Sequence, residues 1–480
     1  MHSFVGDIIK ICHLCKLKYF YETERPRLVY ILKQMNIKKK RFSLFFAFLT
    51  ITLVTFSQQV GSNSPYGRYG YGVLSNPSIG ASEAMGGVSY GLRRSQHVNP
   101  GNPASYSELD SLTFIFDMGV SGHLARMDDG MNSRDFYNGN LDYIAMQFPI
   151  FKNIGASLGL LPYSKVGYNF GTSRSLSNIQ YLETYRGTGG LSQVYAGIAW
   201  EPIKNVSIGA NLAYLFGDFS HSRVSTPYTS NALISEGKHS YSIRDIKYDL
   251  GIQYQYAIDK TRSITLGAVY SPEIASKADL TSSVMNFTSD PYDNPTLLPS
   301  QIISNDTLQG ELFQIPQTFG LGLTYQTSKF LVGLDGTYQM WENSTYPVEL
   351  DGLADNTRFN NLYRLNTGLE YVIDRYSQNF FHRIRFRGGL SYSNSYINAS
   401  VTNPGNSQAV GMGSFKEYGV NLGFGLPFHD LRTGHVSMLN IGFGYTRQKP
   451  DSDYMIGQDM FKISLNMNVN ELWFFKRQFD

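Results

Sequence analysis

The run Phe461-Lys-Ile-Ser-Leu-Asn-Met-Asn-Val-Asn470 alternates apolar and polar side chains without a break. A strand sends successive side chains to opposite faces, so this segment has one greasy face and one wet face. In a soluble sandwich the greasy face would meet a protein core. In a membrane barrel the arrangement is inverted, with lipid outside and a polar lumen inside. The remainder of the chain decides between these two architectures.

Charged residues make up only 16% of the 480 residues and aromatics reach 14%. No stretch after residue 57 approaches the roughly 20 apolar residues of a membrane helix. Scarce charge, many aromatics and no spanning helix favour an outer-membrane barrel over a soluble enzyme. The formal net charge of +3 is too small to argue for a nucleic-acid partner.

The segment Met35-Asn-Ile-Lys-Lys-Lys-Arg41, followed by the largely apolar Phe42–Phe56, has the shape of a secretory signal spanning 35–57. Residues 1–34 then read as upstream sequence translated from a start placed too early. Cys12 and Cys15 form a CxxC, but no second pair or histidine pair completes a metal site, and both precede the signal. The exported chain would carry no cysteine, which suits an oxidising compartment.

From Leu112 to the end, alternating segments of about ten residues are separated by turn-rich stretches. They predict strands near 112–122, 140–150, 154–170, 188–200, 205–217, 240–257, 262–272, 315–326, 328–342, 358–373, 382–395, 415–427, 434–447 and 459–472. Fourteen is the even number that puts both ends of a single-chain barrel on one side. Short connections alternate with long ones near 123–139, 171–187, 218–239, 273–314, 343–357, 396–414 and 448–458. That asymmetry is expected of periplasmic turns and external loops. The loop at 273–314, with Pro291, Pro295 and Pro299, reads as a structured external cap.

Residues 58–111 differ: they are rich in Gly, Ser, Asn, Pro and Tyr and contain no strand of barrel length. They read as a hatch inside the lumen, with a disordered periplasmic tail as the alternative. Tyr66, Tyr69, Tyr71, Met85, Val88 and Tyr90 favour the hatch because they are buriable. Small inward residues such as Gly320, Gly322, Gly419, Gly423 and Gly425 leave room for it.

The Gly-rich Ala84–Gly91, then Asn102-Pro103-Ala104 just ahead of the first strand, then fourteen strands, resembles the FadL/TodX family of outer-membrane hydrophobic-compound transporters. Ser64-Pro-Tyr-Gly-Arg-Tyr-Gly and the ending Trp473-Phe-Phe-Lys-Arg477 are similar to members from Bacteroidetes. The resemblance covers residues 58–480. It implies a monomeric barrel closed by an N-terminal hatch, with a hydrophobic molecule leaving sideways through the wall near a kinked third strand. The family's Asn-Pro-Ala maps onto Asn102, Pro103 and Ala104, with a further Asn-Pro at Asn99-Pro100. Pro162 sits in the predicted third strand and lacks a ladder donor, so it marks either the kink or simply a strand end.

Several strands carry charge opposite their apolar face: Lys247 and Asp249, Asp335, Arg364 and Glu370, and Arg383, Arg385 and Arg387, the last three read as consecutive inward positions. Such arginines hold a carboxylate ligand or pair with Glu370, Glu83, Glu108 or Asp110; their place beside a periplasmic turn favours pairing. Arg93 and Arg94 carry the same ambiguity. The histidines lie mostly in loops and show no nucleophile–base spacing, and the loop acids show no metal-site spacing. The sequence therefore predicts an all-β, fourteen-stranded transmembrane antiparallel barrel over 112–480 with an N-terminal hatch over 58–111. It is expected to pass hydrophobic small molecules or lipid across the outer membrane passively, as a monomer with no cofactor, no metal and no enzymatic activity. A secretion, assembly or adhesion partner is the alternative, and a lipid-modifying barrel enzyme a more remote one.

Overall fold

The computed structural model describes residues 64–110, 112–128, 133–176, 179–229, 232–294, 296–346, 359–402, 409–429 and 436–472. The upstream extension, the signal segment, both cysteines and residues 473–480 lie outside the described residues.

Fourteen strands form the wall. They are β1 (Thr113–Asp128), β2 (Ser133–Phe151), β3 (Ile154–Lys165 continued by Tyr168–Leu176), β4 (Ile179–Ile203) and β5 (Val206–Pro227). Next come β6 (Ile234–Ala257), β7 (Ser263–Ser271 continued by Ile274–Phe287), β8 (Gln301–Ile315 continued by Thr318–Gln326) and β9 (Phe330–Gln339). β10 (Leu362–Val372), β11 (Arg385–Asn394), β12 (Phe415–His429), β13 (Val436–Pro450) and β14 (Gly457–Leu472) complete the circle. Each pairs antiparallel with the next, and β14 returns to β1 from Thr113↔Leu472 to Asp128↔Gly457. Closure pairs the first strand with the last and so removes the two outer edges of the sheet, as a hydrocarbon environment demands of a spanning sheet.

The faces follow the alternation in the sequence. On β14, Phe461, Ile463, Leu465 and Met467 are exposed, while Ser464, Asn466, Asn468 and Asn470 are buried. The same outward apolar set recurs around the wall, as in Val194, Ile198 and Trp200 on β4 or Leu321 and Leu323 on β8. Aromatic pairs cluster toward both ends of this belt. Tyr445–Phe461, Tyr392–Tyr418 and Tyr338–Tyr363 lie toward the long-loop end, and Phe386–Phe424, Phe330–Tyr371 and Phe114–Phe148 toward the short-turn end. Amphipathic rings are favoured where hydrocarbon gives way to headgroups.

The inner wall carries a band of glycines. Gly209 pairs with Gly251, Gly267 with Gly322, and Gly333 with Gly368, which pairs in turn with Gly389. A Cβ on Gly155, Gly209, Gly267, Gly333, Gly368 or Gly389 would stand under 3.0 Å from Tyr106, Pro103, Tyr90, Val88, Met85 or Gly86 respectively. The N-terminal segment therefore touches the inner face on strands all around the barrel, with its backbone against theirs.

The wall extends beyond the predicted strands. Most of 123–139 and 171–187, and much of 218–239, is strand, and 273–314 is a hairpin continuing β7 and β8 rather than a separate cap. Outside the lipid belt both faces of a strand meet water, so the apolar/polar period that marks a strand disappears. Arg383 is also corrected: it ends a short helical turn, Phe380–Arg383, and only Arg385 and Arg387 lie on β11.

Substituting Gly267→Ala should loosen the N-terminal segment by about 1–3 kcal/mol through overpacking against Tyr90. Gly237→Ala, where a Cβ meets nothing within 4 Å, should be silent. Limited proteolysis of the detergent-solubilised barrel, scored for cleavage in 64–110, distinguishes the two.

Candidate functional site

Asn102 fixes the end of the N-terminal segment. Its Oδ1 accepts from Ala104 N at 3.1 Å, capping the short helix Pro103–Glu108, and its Nδ2 donates to Tyr90 O at 2.8 Å and Ile252 O at 3.3 Å. One side chain thus caps a helix, holds a loop and reaches the wall. Asn99 serves the loop itself, donating to Ser89 O and Leu92 O, while Asn211 of β5 donates to Pro100 O. Asp335 on β9 accepts from the backbone N–H groups of Ser89 and Tyr90 at 2.5 and 2.7 Å. Its single buried carboxylate satisfies two turn donors that no ladder reaches.

Toward the long-loop end the lumen is closed by rings. Tyr66 and Tyr71 of the N-terminal segment join Phe313, Trp341, Tyr346, Phe359, Tyr396 and Phe415 in one buried cluster. Tyr71 lies 4.1 Å from Phe313 and 4.9 Å from Trp341 between ring centroids, and the Tyr396 O–H donates to Gly72 O at 2.5 Å.

The wall parts between β2 and β3. Their ladder runs only from Phe151↔Ile154 to Ile144↔Leu160. Beyond it, β2 stays paired with β1 and β3 with β4. Pro162 sits just past the parting, at a register shift opposite Ser192. Proline offers no N–H to either neighbour, so the ladder weakens there. The freed edge of β3 takes another partner: Val73 and Leu74 pair with Lys165 and Ser164, and Ser75 N donates to Tyr163 O at 2.9 Å. Two glycines of β4, Gly189 and Gly190, follow the bend at φ +103° and +152°.

Behind the parting lies a cavity of about 300 Å³, lined among others by Pro162, Leu161, Glu83, Asp142, Lys165 and Lys462. Lys462 bridges Asp142 at 3.0 Å and also pairs with Glu83, and the Ser121 O–H donates to Asp142 at 2.8 Å. The pocket is charged where a purely apolar guest would want grease. Arg364 lines the same cavity.

The remaining lumen charges gather at the short-turn end. Glu370 on β10 is buried and accepts from Arg387 at 2.8 Å, pairs with Arg94 at 2.8 Å, and lies 3.9 Å from Arg385. Arg387 also donates to Asn440 at 2.6 Å. Arg93 is held by Glu108 and Glu201, each at 2.7 Å. His97 lies beside this group with Nε2 3.0 Å from Ser82 Oγ; burial first, then Arg94, Arg387 and Arg385, push its pKa down to about 3, against a smaller opposing pull from Glu370. The structure therefore brings Arg385, Arg387 and Glu370 together, places Arg364 at the cavity behind the parting and sets Arg383 on the turn.

Sequence reasoning missed the Val73–Leu74 bridge, because a two-residue strand has no period, and the bulge that turns Asp142 inward. Lys462 was readable as an inward lysine within an otherwise neutral polar face.

A family model described as BamG matches residues 37–480. The chain belongs to the BamG family. Among solved structures, the barrel is similar to the Pseudomonas putida toluene transporter TodX (15% identity, 84% of this chain and all of that one, TM-score 0.53). It is also similar to a Pseudomonas aeruginosa FadL homologue (12%, 82% and 99%, TM-score 0.52) and to the CymD monoaromatic hydrocarbon channel (12%, 82% and 98%, TM-score 0.51). At such identities the likeness establishes a FadL-type fold for this BamG-family chain. No curated protein matches it in sequence.

Glu370→Gln should destabilise the barrel by about 3–5 kcal/mol, because it leaves buried guanidinium groups without their counter-charge; the apparent Tm in detergent reads this. His97 gives a pH dependence of defined sign. Its folded pKa lies below the unfolded value near 6.5, so its contribution is complete above that value and is lost as pH falls toward 3. Protease sensitivity of 64–110 should rise across that window, and His97→Gln should flatten the rise.

Proposed function

We propose that this chain serves in the outer membrane as a passive, lateral-access pathway for hydrophobic small molecules with a polar end. The parting of β2 from β3 beside Pro162 carries the reading, because it removes wall hydrogen bonds within the apolar belt and connects to an internal cavity. The charged groups behind it point to an amphiphile: the apolar part would lie in the parting and the polar end against Lys462, Lys165 and Asp142. Residues 64–110 act as the hatch, and the aromatic cluster above them as a seal that must shift for a guest to pass from outside. The short turns then lie on the periplasmic side, where an exported N-terminus and the C-terminus both belong. On this reading the chain is a transport protein of Bacteroidetes type acting as a monomer, without catalysis.

Uptake of a radiolabelled long-chain fatty acid by cells carrying the protein tests this. Pro162→Val restores a ladder donor and should lower uptake several-fold while heat-modifiable migration of the barrel stays unchanged. Equal uptake by the variant and the parent would count against the pathway.

A second reading, as a partner in an outer-membrane assembly, has its own observation. β4, β5 and β6 run for 25, 22 and 24 residues. A spanning strand needs only about 9–11. The excess forms a projecting wall pinned by Arg186–Asp290 and by the Tyr292 O–H donating to Glu236. A stoichiometric protein partner in native mass spectrometry, lost when the β7–β8 hairpin is trimmed, with uptake absent in both forms, would favour this reading.

A further inference from the structure

The wall has a second opening. The β6–β7 ladder runs from Ala257↔Ser263 to Leu250↔Tyr270 and resumes only at Ile243↔Ala278. Residues 244–249 of β6 and 271–277 of β7 therefore have no ladder partners across this seam. β6 keeps its pairing with β5 along the whole stretch, so the break belongs to one side of the strand. Two prolines mark the place on the other side. Pro272 and Pro316 sit where the β7–β8 ladder skips from Ser271↔Thr318 to Ile274↔Ile315, and neither offers an N–H.

An open strand edge carries N–H and C=O groups that need partners when hydrocarbon is near. Ile246 N finds one locally, donating to Asp245 Oδ1 at 2.6 Å. The outward side chains of β6 run Leu250, Tyr248, Ile246 and then Arg244, from apolar to charged. Tyr270 and Phe319, 5.2 Å apart between ring centroids and in register with Tyr338 of the long-loop girdle, border the gap. The gap thus opens at that edge of the lipid belt, where hydrocarbon gives way to headgroups.

Behind it lies a cavity of about 100 Å³ lined from both lips, by Lys247 and Asp249 of β6 and by Ser271 of β7. Lys247 pairs with Asp249, which also accepts from the Ser271 O–H. Gln193 of β4 lines the same cavity; it is only 9% exposed, and its Oε1 meets no donor among the described residues. The Lys247 ammonium suits an anionic oxygen, whereas Asp249 and Gln193 Oε1 suit an N–H donor.

The structure assigns a lipid-binding site to the β6–β7 gap, taking a zwitterionic head that carries an anionic phosphate and an ammonium N–H. Such a head matches Lys247 on one side and Asp249 with Gln193 on the other, and it supplies acceptors and donors to the open strand edges. Its acyl chains would lie along Tyr248 and Leu250 on the outer face. The site is separate from the parting beside Pro162 and does not rest on passage through it. One row of ladder partners, Leu160, Val194, Tyr214 and Ile246, runs from the parting to the gap, so β3 to β6 form a panel with an open ladder on each side.

Native mass spectrometry of the delipidated full-length protein in detergent, with phosphatidylethanolamine, phosphatidylcholine and phosphatidylglycerol added separately, tests the site. Phosphatidylethanolamine should be retained at least threefold better than phosphatidylcholine, whose ammonium has no N–H, and than phosphatidylglycerol, which has no ammonium. The double variant Lys247→Gln, Asp249→Asn should lower its retention at least fivefold while heat-modifiable migration is unchanged. Phosphatidylethanolamine with a photoreactive diazirine in its acyl chain should label peptides covering 244–250 or 270–278, in the parent and in Pro162→Val alike. Equal retention of the three lipids, equal retention by the double variant and the parent, or label confined to peptides around Leu160 and Pro162 would overturn the proposal.

Discussion

Backbone hydrogen bonding governs this molecule. Hydrocarbon offers no partner to an N–H or a carbonyl, so a spanning sheet must pair every strand and close on itself. The β14–β1 seam, sixteen residue pairs long, supplies that closure. Once the wall is closed its lumen becomes an interior, and the same rule applies inward: polar groups turned toward it need partners other than water. Asn102, Asp335 and Glu370 meet that need by bonding the N-terminal segment to the wall.

Among the described residues the wall departs from full pairing between β2 and β3, and also between β6 and β7, whose ladder breaks from Leu250↔Tyr270 to Ile243↔Ala278; the first of these gaps lies beside Pro162. β3 leaves β2 after Leu160, and the exposed edge is partly compensated by Val73 and Leu74. Residues 73–75 of the N-terminal segment thus stand in for a short stretch of missing wall, through backbone hydrogen bonds to β3.

The interior divides by polarity along the barrel. Rings close the long-loop end, ion pairs occupy the middle behind the parting, and arginines crowd the short-turn end. Smaller apolar clusters, such as that of Ile79, Val98, Ile115 and Leu161, lie between these zones.

Much of the architecture was legible in the sequence, because a strand between lipid and lumen has to alternate: Phe461 to Asn470 states its two faces outright, and fourteen such segments with alternating loop lengths state the barrel. Inward glycines such as Gly320, Gly322 and Gly423 stated that something fills the lumen. The full reach of β4 to β8 was not legible, since strands standing clear of the bilayer carry no apolar period. Nor was the partner of each charge. Arg383 and Arg385 lie two residues apart, yet one sits on a turn and the other on the wall, and Glu370 meets Arg94 across 276 positions of chain. Alternation is a local property, fixed by which face of each strand meets lipid. Pairing across the lumen, the parting at Pro162 and the arginine-lined mouth depend on which strands closure brings together, and only the tertiary structure decides that.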